Sequence, residues 1–344
     1  MTAAVKFGAS LRMYARPADT PFSEFVAIAQ AAEGLGFDGL FSNDHFFLPG
    51  DYTASMSDAG DAARPYYLES WTSLAAVAAR TSRIRLGHQV TPLCLRHPAF
   101  VAKMAANIDL ISEGRFILGV GVGWHGDEYK AYGVPFDTDF RTRYEKAVEA
   151  IRIIRGLWTS DGSYSFHGKH YQLQEAQFWP KPVQRPGPPI WMGGAGKTTR
   201  ALIARELDGW APIASQNDVD LVPEKYAECL QEIGAAAKAA GREAGAISRG
   251  FNTHIVIDRD RKLARERAGI LMKRGNWSKL SLDQVIARRL LIVGNPEDCV
   301  AKLKDYVAAG ARYLTLGVAP ISDPERTIRS LKLIAREVIP AFRA

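Results

Sequence analysis

Two short runs carry most of the polar chemistry in this chain: Asn43-Asp44-His45 and Gly193-Gly194-Ala195-Gly196-Lys197. A carboxylate beside an imidazole can hold a polar ligand and move a proton near neutral pH, so Asp44 reads as a binding group and His45 as a general acid or base. The glycine run lets backbone N–H groups approach an anion, and the helical pattern beyond it adds a favourable dipole. Gly193, Gly194 and Lys197 are therefore phosphate-binding candidates. A nucleotide P-loop is disfavoured, because the glycine it needs at 191 is Trp191. In His88-Gln89-Val90-Thr91, Gln89 and Thr91 offer hydrogen bonds to the edge of a heterocycle, and Val90 offers an apolar face.

Other chemistries fit less well. Gly119-Val120-Gly121-Val122-Gly123 lacks the final spacing of the dinucleotide fingerprint and reads as a strand whose backbone is closely approached. His167 and His170 flank Lys169 without a third ligand nearby, so no metal site is expected. No Ser-centred nucleophile elbow occurs. The three cysteines, Cys94, Cys229 and Cys299, form no CxxC pair, which argues against a disulfide framework and fits a reducing cytoplasm.

A chain of 344 residues with 47% hydrophobic and 24% charged content can bury a large core, which excludes extensive disorder. The formal charge of +7 suits an anionic ligand, but Lys and Arg are dispersed, so no nucleic-acid partner is expected. The N-terminus lacks a signal-peptide pattern, and no apolar run reaches about 18 residues, so neither export nor membrane insertion is expected.

Eight short apolar runs alternate with helical patterns, as βαβ units require. The runs are Phe7 to Leu11, Gly39 to Ser42, Ile84 to Val90, Phe116 to Val122, Pro189 to Gly193, Gly209 to Ile213, Thr253 to Ile257 and Tyr313 to Val318. The helical patterns are Pro21 to Leu35, Ser70 to Arg80, Pro98 to Ile111, Arg141 to Leu157, Thr198 to Glu206, Pro223 to Ala240, Pro296 to Ala309 and Pro324 to Arg336. A single (β/α)8 TIM barrel over residues 1–344 is preferred to an open doubly wound sheet, because the dinucleotide fingerprint is missing. Three insertions exceed connecting length. Phe46 to Glu69 and Trp124 to Phe140 follow strands and so border the active rim; the hairpin-like Asp161 to Pro188 starts from the opposite rim and reads as structural.

Several stretches in this order resemble the bacterial luciferase-like monooxygenase superfamily, and within it the coenzyme F420-dependent oxidoreductases. They include Ser42-Asn43-Asp44-His45-Phe46-Phe47, Leu68-Glu69-Ser70-Trp71, Arg96-His97-Pro98-Ala99, Gly114 to Trp124, Tyr132-Gly133-Val134-Pro135-Phe136 and Ile190-Trp191-Met192-Gly193-Gly194. The resemblance implies a cofactor ring across the strand ends, its phosphate at Gly193-Gly194, and Asp44 and His45 bordering the deazaflavin. It also implies a non-proline cis peptide at Gln89-Val90, a homodimer, and hydride transfer to or from a small organic substrate. Where some relatives carry a glutamate proton donor, this chain has Trp124, which leaves His45, Glu69 or His125 to handle the proton. Trp71 and Trp124 are substrate-side candidates. A reduced-FMN monooxygenase on the same fold and a non-catalytic cofactor-binding protein are the alternatives.

Overall fold

The computed structural model describes residues 4–11, 21–47, 67–216, 219–274, 280–318 and 324–343. Apolar runs with no polar face must be covered on both sides, and here they are. Eight parallel strands, β1 (Lys6–Ser10), β2 (Gly39–Ser42), β3 (Arg85–His88), β4 (Phe116–Gly121), β5 (Ile190–Met192), β6 (Gly209–Trp210), β7 (Ser248–Ile257) and β8 (Tyr313–Val318), pair in chain order. The circle closes where Ser248 of β7 registers with Gly209 of β6 and Lys6 of β1 registers with Tyr313 of β8. A parallel sheet buried on both faces needs this near-continuous hydrophobic composition.

Eight helices follow the strands: α1 (Phe22–Gly34), α2 (Ser70–Ala78), α3 (Pro98–Ile111), α4 (Phe140–Thr159), α5 (Lys197–Glu206), α6 (Pro223–Ala239), α7 (Pro296–Ala308) and α8 (Pro324–Leu333). Pro98, Pro223 and Pro296 open their helices, where a missing N–H costs no bond. Asn295 and Asp298 cap α7 reciprocally, each side chain accepting the other's backbone N–H.

The barrel interior is plugged by three aromatic rings. Trp191 packs edge-on to Tyr313 at 5.1 Å and lies 6.0 Å from Phe41, while Phe41 meets Tyr313 at 5.7 Å. Glycines on neighbouring strands make the room: a Cβ on Gly39 would lie 2.1 Å from the Tyr313 hydroxyl, and one on Gly209 would lie 2.5 Å from the Trp191 ring. Trp191, which excludes a P-loop in the sequence, is thus a barrel-filling residue.

Four departures from the sequence reading have local causes. The strand expected over 84–90 ends at His88, the Gln89–Val90 peptide that follows is cis, and Thr91–Pro92 resumes pairing with β4. Strand β7 begins at Ser248, five residues before the expected Thr253, its polar start being held by β6 and β8. A further strand, Leu291–Gly294, pairs with the second half of β7, and short helices span Gly126–Ala131 and Leu282–Ala287. A longer helix spans Arg261–Arg274, where charged residues obscure the apolar face.

The insertion from Asp161 to Pro188 contains an antiparallel hairpin, Tyr164–His167 with Gln172–Ala176. The Glu149 carboxylate on α4 accepts the backbone N–H groups of Lys169, His170 and Tyr171 at 2.8, 3.0 and 3.0 Å, tying the hairpin's tip to the barrel wall. Most of the insertion Phe46 to Glu69 lies outside the described residues. Among the described residues, no helix is long and apolar enough to cross a membrane.

Candidate functional site

Loops leaving the carboxyl ends of β2, β3, β4 and β5 meet at one rim of the barrel. The buried Asp44 carboxylate is their hub. It accepts from Thr91 Oγ1 at 2.6 Å, Trp71 Nε1 at 3.0 Å, and Arg96 through Nη1 at 2.6 Å and Nη2 at 3.1 Å. Burial by itself would raise its pKa, but the Arg96 guanidinium and these hydrogen bonds outweigh that and hold it below the usual aspartate range. Arg96 also donates to Glu69 at 2.9 Å and stands 5.2 Å over the Phe46 ring.

One residue along, His45 is only half-buried. Its Nδ1 lies 3.0 Å from Oε2 of Glu128, a carboxylate with no solvent exposure that also accepts the backbone N–H of Phe46. Glu128 comes from the short helix Gly126–Ala131 after β4, four residues beyond Trp124. With Nδ1 engaged there, Nε2 is the ring nitrogen left for other partners.

The third strand end supplies a shelf. Val90, after the cis peptide, packs so closely that a Cβ on Gly121 would lie 2.7 Å from its Cγ2, and one on Gly193 would lie 3.4 Å from its Cγ1. These two glycines and Val90 bring the ends of β3, β4 and β5 together. Gly119 shows the close backbone approach expected of its run: a Cβ there would strike the His88 carbonyl oxygen at 1.9 Å.

Beyond the shelf, Gly194 sits at φ +90 and Gly196 is the N-cap of α5, with no side-chain cap for that helix. The first-turn N–H groups of a helix have no intrahelical acceptor, so an uncapped end reached through glycine fits an anion. Lys197 is exposed at this end.

An aromatic wall stands on the other side of His45. Phe46 stacks on Tyr132 at 4.4 Å, Phe47 meets His125 edge-on at 5.2 Å, and Trp124 packs against His45 at 5.8 Å and His125 at 5.2 Å. Trp124 is 44% exposed and Tyr132 56%, so large apolar faces meet solvent beside the candidate acid–base residue.

The sequence candidates therefore fall into distinct places. Asp44, His45, Gln89, Val90, Thr91, Gly193, Gly194, Trp124 and His125 gather at one rim. Trp71 does not wall an open pocket: it is buried, bonded to Asp44, with its ring 4.3 Å from His88. Glu69 is the N-cap of α2, accepting from Thr72 N at 2.7 Å as well as from Arg96. Two residues were missed. Arg96 opens one of the family stretches, Arg96-His97-Pro98-Ala99, but the sequence assigns it no role there, and Glu128 lies in the insertion between two such stretches, where only the tertiary structure shows that it is buried.

Comparison with known proteins gives consistent results. The family model for luciferase-like monooxygenase matches residues 4–313. An F420-dependent glucose-6-phosphate dehydrogenase from Amycolatopsis mediterranei (strain U-32) is 30% identical, the match covering 93% of this chain and 95% of that one. Among solved structures, the monooxygenase RslO1 from Streptomyces bottropensis superposes with a TM-score of 0.79 at 25% identity, over 97% of this chain and 99% of that one. The coenzyme F420 dependent tetrahydromethanopterin reductase from Methanopyrus kandleri shares the fold at a TM-score of 0.77 and 23% identity, over 99% of this chain and all of its own.

Proposed function

Because the chain belongs to the luciferase-like monooxygenase family, we propose that it is a coenzyme F420-dependent oxidoreductase moving a hydride between the deazaflavin and a small organic substrate. The observation that carries this reading is the convergence at one barrel rim of an oriented imidazole, an apolar shelf and an uncapped helix end. The F420-dependent relative at 30% identity over nearly the whole chain supports the choice of cofactor.

F420, when bound, supplies the hydride donor or acceptor carbon. The chain's own residues do the rest. Val90 and the Gln89 edge would support the ring, whereas Thr91, buried with its hydroxyl donated to Asp44, braces the loop instead of offering the hydrogen bond expected of it; Gly193, Gly194 and Lys197 would take phosphate. Asp44, saturated by Trp71, Thr91 and Arg96, locks the loop that carries His45 rather than offering a free oxygen to the cofactor. His45 gives or takes the substrate's proton at Nε2, with Glu128 fixing its tautomer from behind. Trp124, in the place of a glutamate donor, closes the substrate side, and Glu69, committed to capping α2 and to Arg96, is left out of proton transfer. In this reading residues 1–344 form one barrel domain that works as a cytoplasmic homodimer.

Titration with F420 and with FMN tests the reading. F420 is expected to bind stoichiometrically, and His45→Ala to retain that affinity while substrate-dependent turnover falls by roughly 10²-fold or more. Tight stoichiometric FMN with no response to F420 would assign the protein to the monooxygenase branch instead, and F420 binding without turnover of any substrate would leave a cofactor-binding protein.

A further inference from the structure

Resting on the F420 reading, we infer that the substrate is an uncharged, apolar ring compound rather than a phosphorylated sugar. Two independent observations lead there. The first is the wall beside His45, where Phe46 and Phe47 stack on Tyr132 on one side and Trp124 packs edge-on to the imidazole on the other, Trp124 and Tyr132 each being about half exposed. Ligand pockets built on aromatic faces with one or two convergent polar groups select flat, apolar bodies and orient them by the polar group. His45 supplies that group, at the edge of the wall.

The second observation is the sign of the charge around it. Four carboxylates, Asp44, Glu69, Asp127 and Glu128, sit on the described segments that frame the wall, against two cations, Arg96, held by the first two of them, and Lys130 in the last turn of the helix that carries the other two. A phosphate entering on this side would meet excess negative charge, in the sense opposite to steering. The helix end suited to a phosphate is the other one, at α5, which the cofactor takes. The two sides of the rim thus differ in chemistry: the α5 side accepts an anion and the Trp124 side repels one.

The test uses the full chain with and without F420, with 1-phenylethanol and glucose 6-phosphate as probes, read by tryptophan fluorescence and calorimetry. Saturable binding of 1-phenylethanol is expected, with no saturation by glucose 6-phosphate over the same range. Trp124→Ala and Tyr132→Ala should each weaken 1-phenylethanol about tenfold and leave F420 affinity unchanged. Preference for glucose 6-phosphate, or 1-phenylethanol binding unaffected by both substitutions, would overturn the inference. So would loss of a dimer in Trp124→Ala, which would make the wall a contact between copies. Failure of F420 to bind overturns the cofactor reading instead, and the 1-phenylethanol titration of the cofactor-free chain still decides the character of the wall.

Discussion

The imidazole of His45 derives its direction from a residue that the sequence does not advertise. Glu128 is wholly buried and holds Nδ1 at 3.0 Å while also binding the Phe46 N–H, so one carboxylate sets both the loop and the ring. Glu128→Gln is expected to lower kcat by about 10- to 100-fold with F420 affinity retained, as read by turnover alongside F420 fluorescence titration. A second histidine behaves differently. His88 is buried beneath Trp71, with neither ring nitrogen hydrogen-bonded among the described residues; burial drives its pKa down to about 4, against the partial opposition of Asp44 and reinforced by Arg96. In the unfolded chain the same group titrates near 6.5, so between those values the unfolded state holds a proton that the folded state lacks. The stability contribution is complete above about pH 6.5 and is lost as pH falls, by roughly 3 kcal/mol at pH 4. His88→Phe should flatten this acid dependence, which urea unfolding at pH 7, 5.5 and 4 measures.

At the scale of elements, periodicity located the eight strands and eight helices to within a few residues, because parallel strands buried on both faces and amphipathic helices leave plain patterns. Patterns failed where charge hid a face, as in Arg261–Arg274, or where pairing extended a polar segment, as at Ser248. At the turn into α5, Gly194 at φ +90 links Gly193, which lies against Val90, to the uncapped N-terminus of the helix. Only glycine adopts that conformation freely. Gly194→Val is therefore expected to cost about 1 to 2 kcal/mol in urea denaturation and, on the proposed function, to weaken F420 by tenfold or more, since the displaced N–H groups would be the anion contacts. A substitution on the far side of the same helix should leave F420 binding untouched.

For the whole molecule, closure of the barrel depends on three interior rings and the glycines that admit them. Adding a methyl at Gly39 drives it into the Tyr313 hydroxyl and against the Phe41 ring, so Gly39→Ala should destabilise the protein by about 2 kcal/mol and Tyr313→Phe should restore part of that, as equilibrium unfolding of the single and double variants would show. The barrel, the order of its strands, the strand-end placement of Asp44 and His45, and the cis peptide at Gln89-Val90 were all readable from the chain, because each leaves a mark in local composition or in the order of family motifs. Which groups face each other was not. That Asp44 spends its oxygens on Trp71, Thr91 and Arg96, that Arg96 also holds Glu69, and that Glu128 backs His45 are facts of closure. Partners 27 to 83 residues apart meet only when the circle of strands brings their loops to one rim, and burial then decides which charges must be paired.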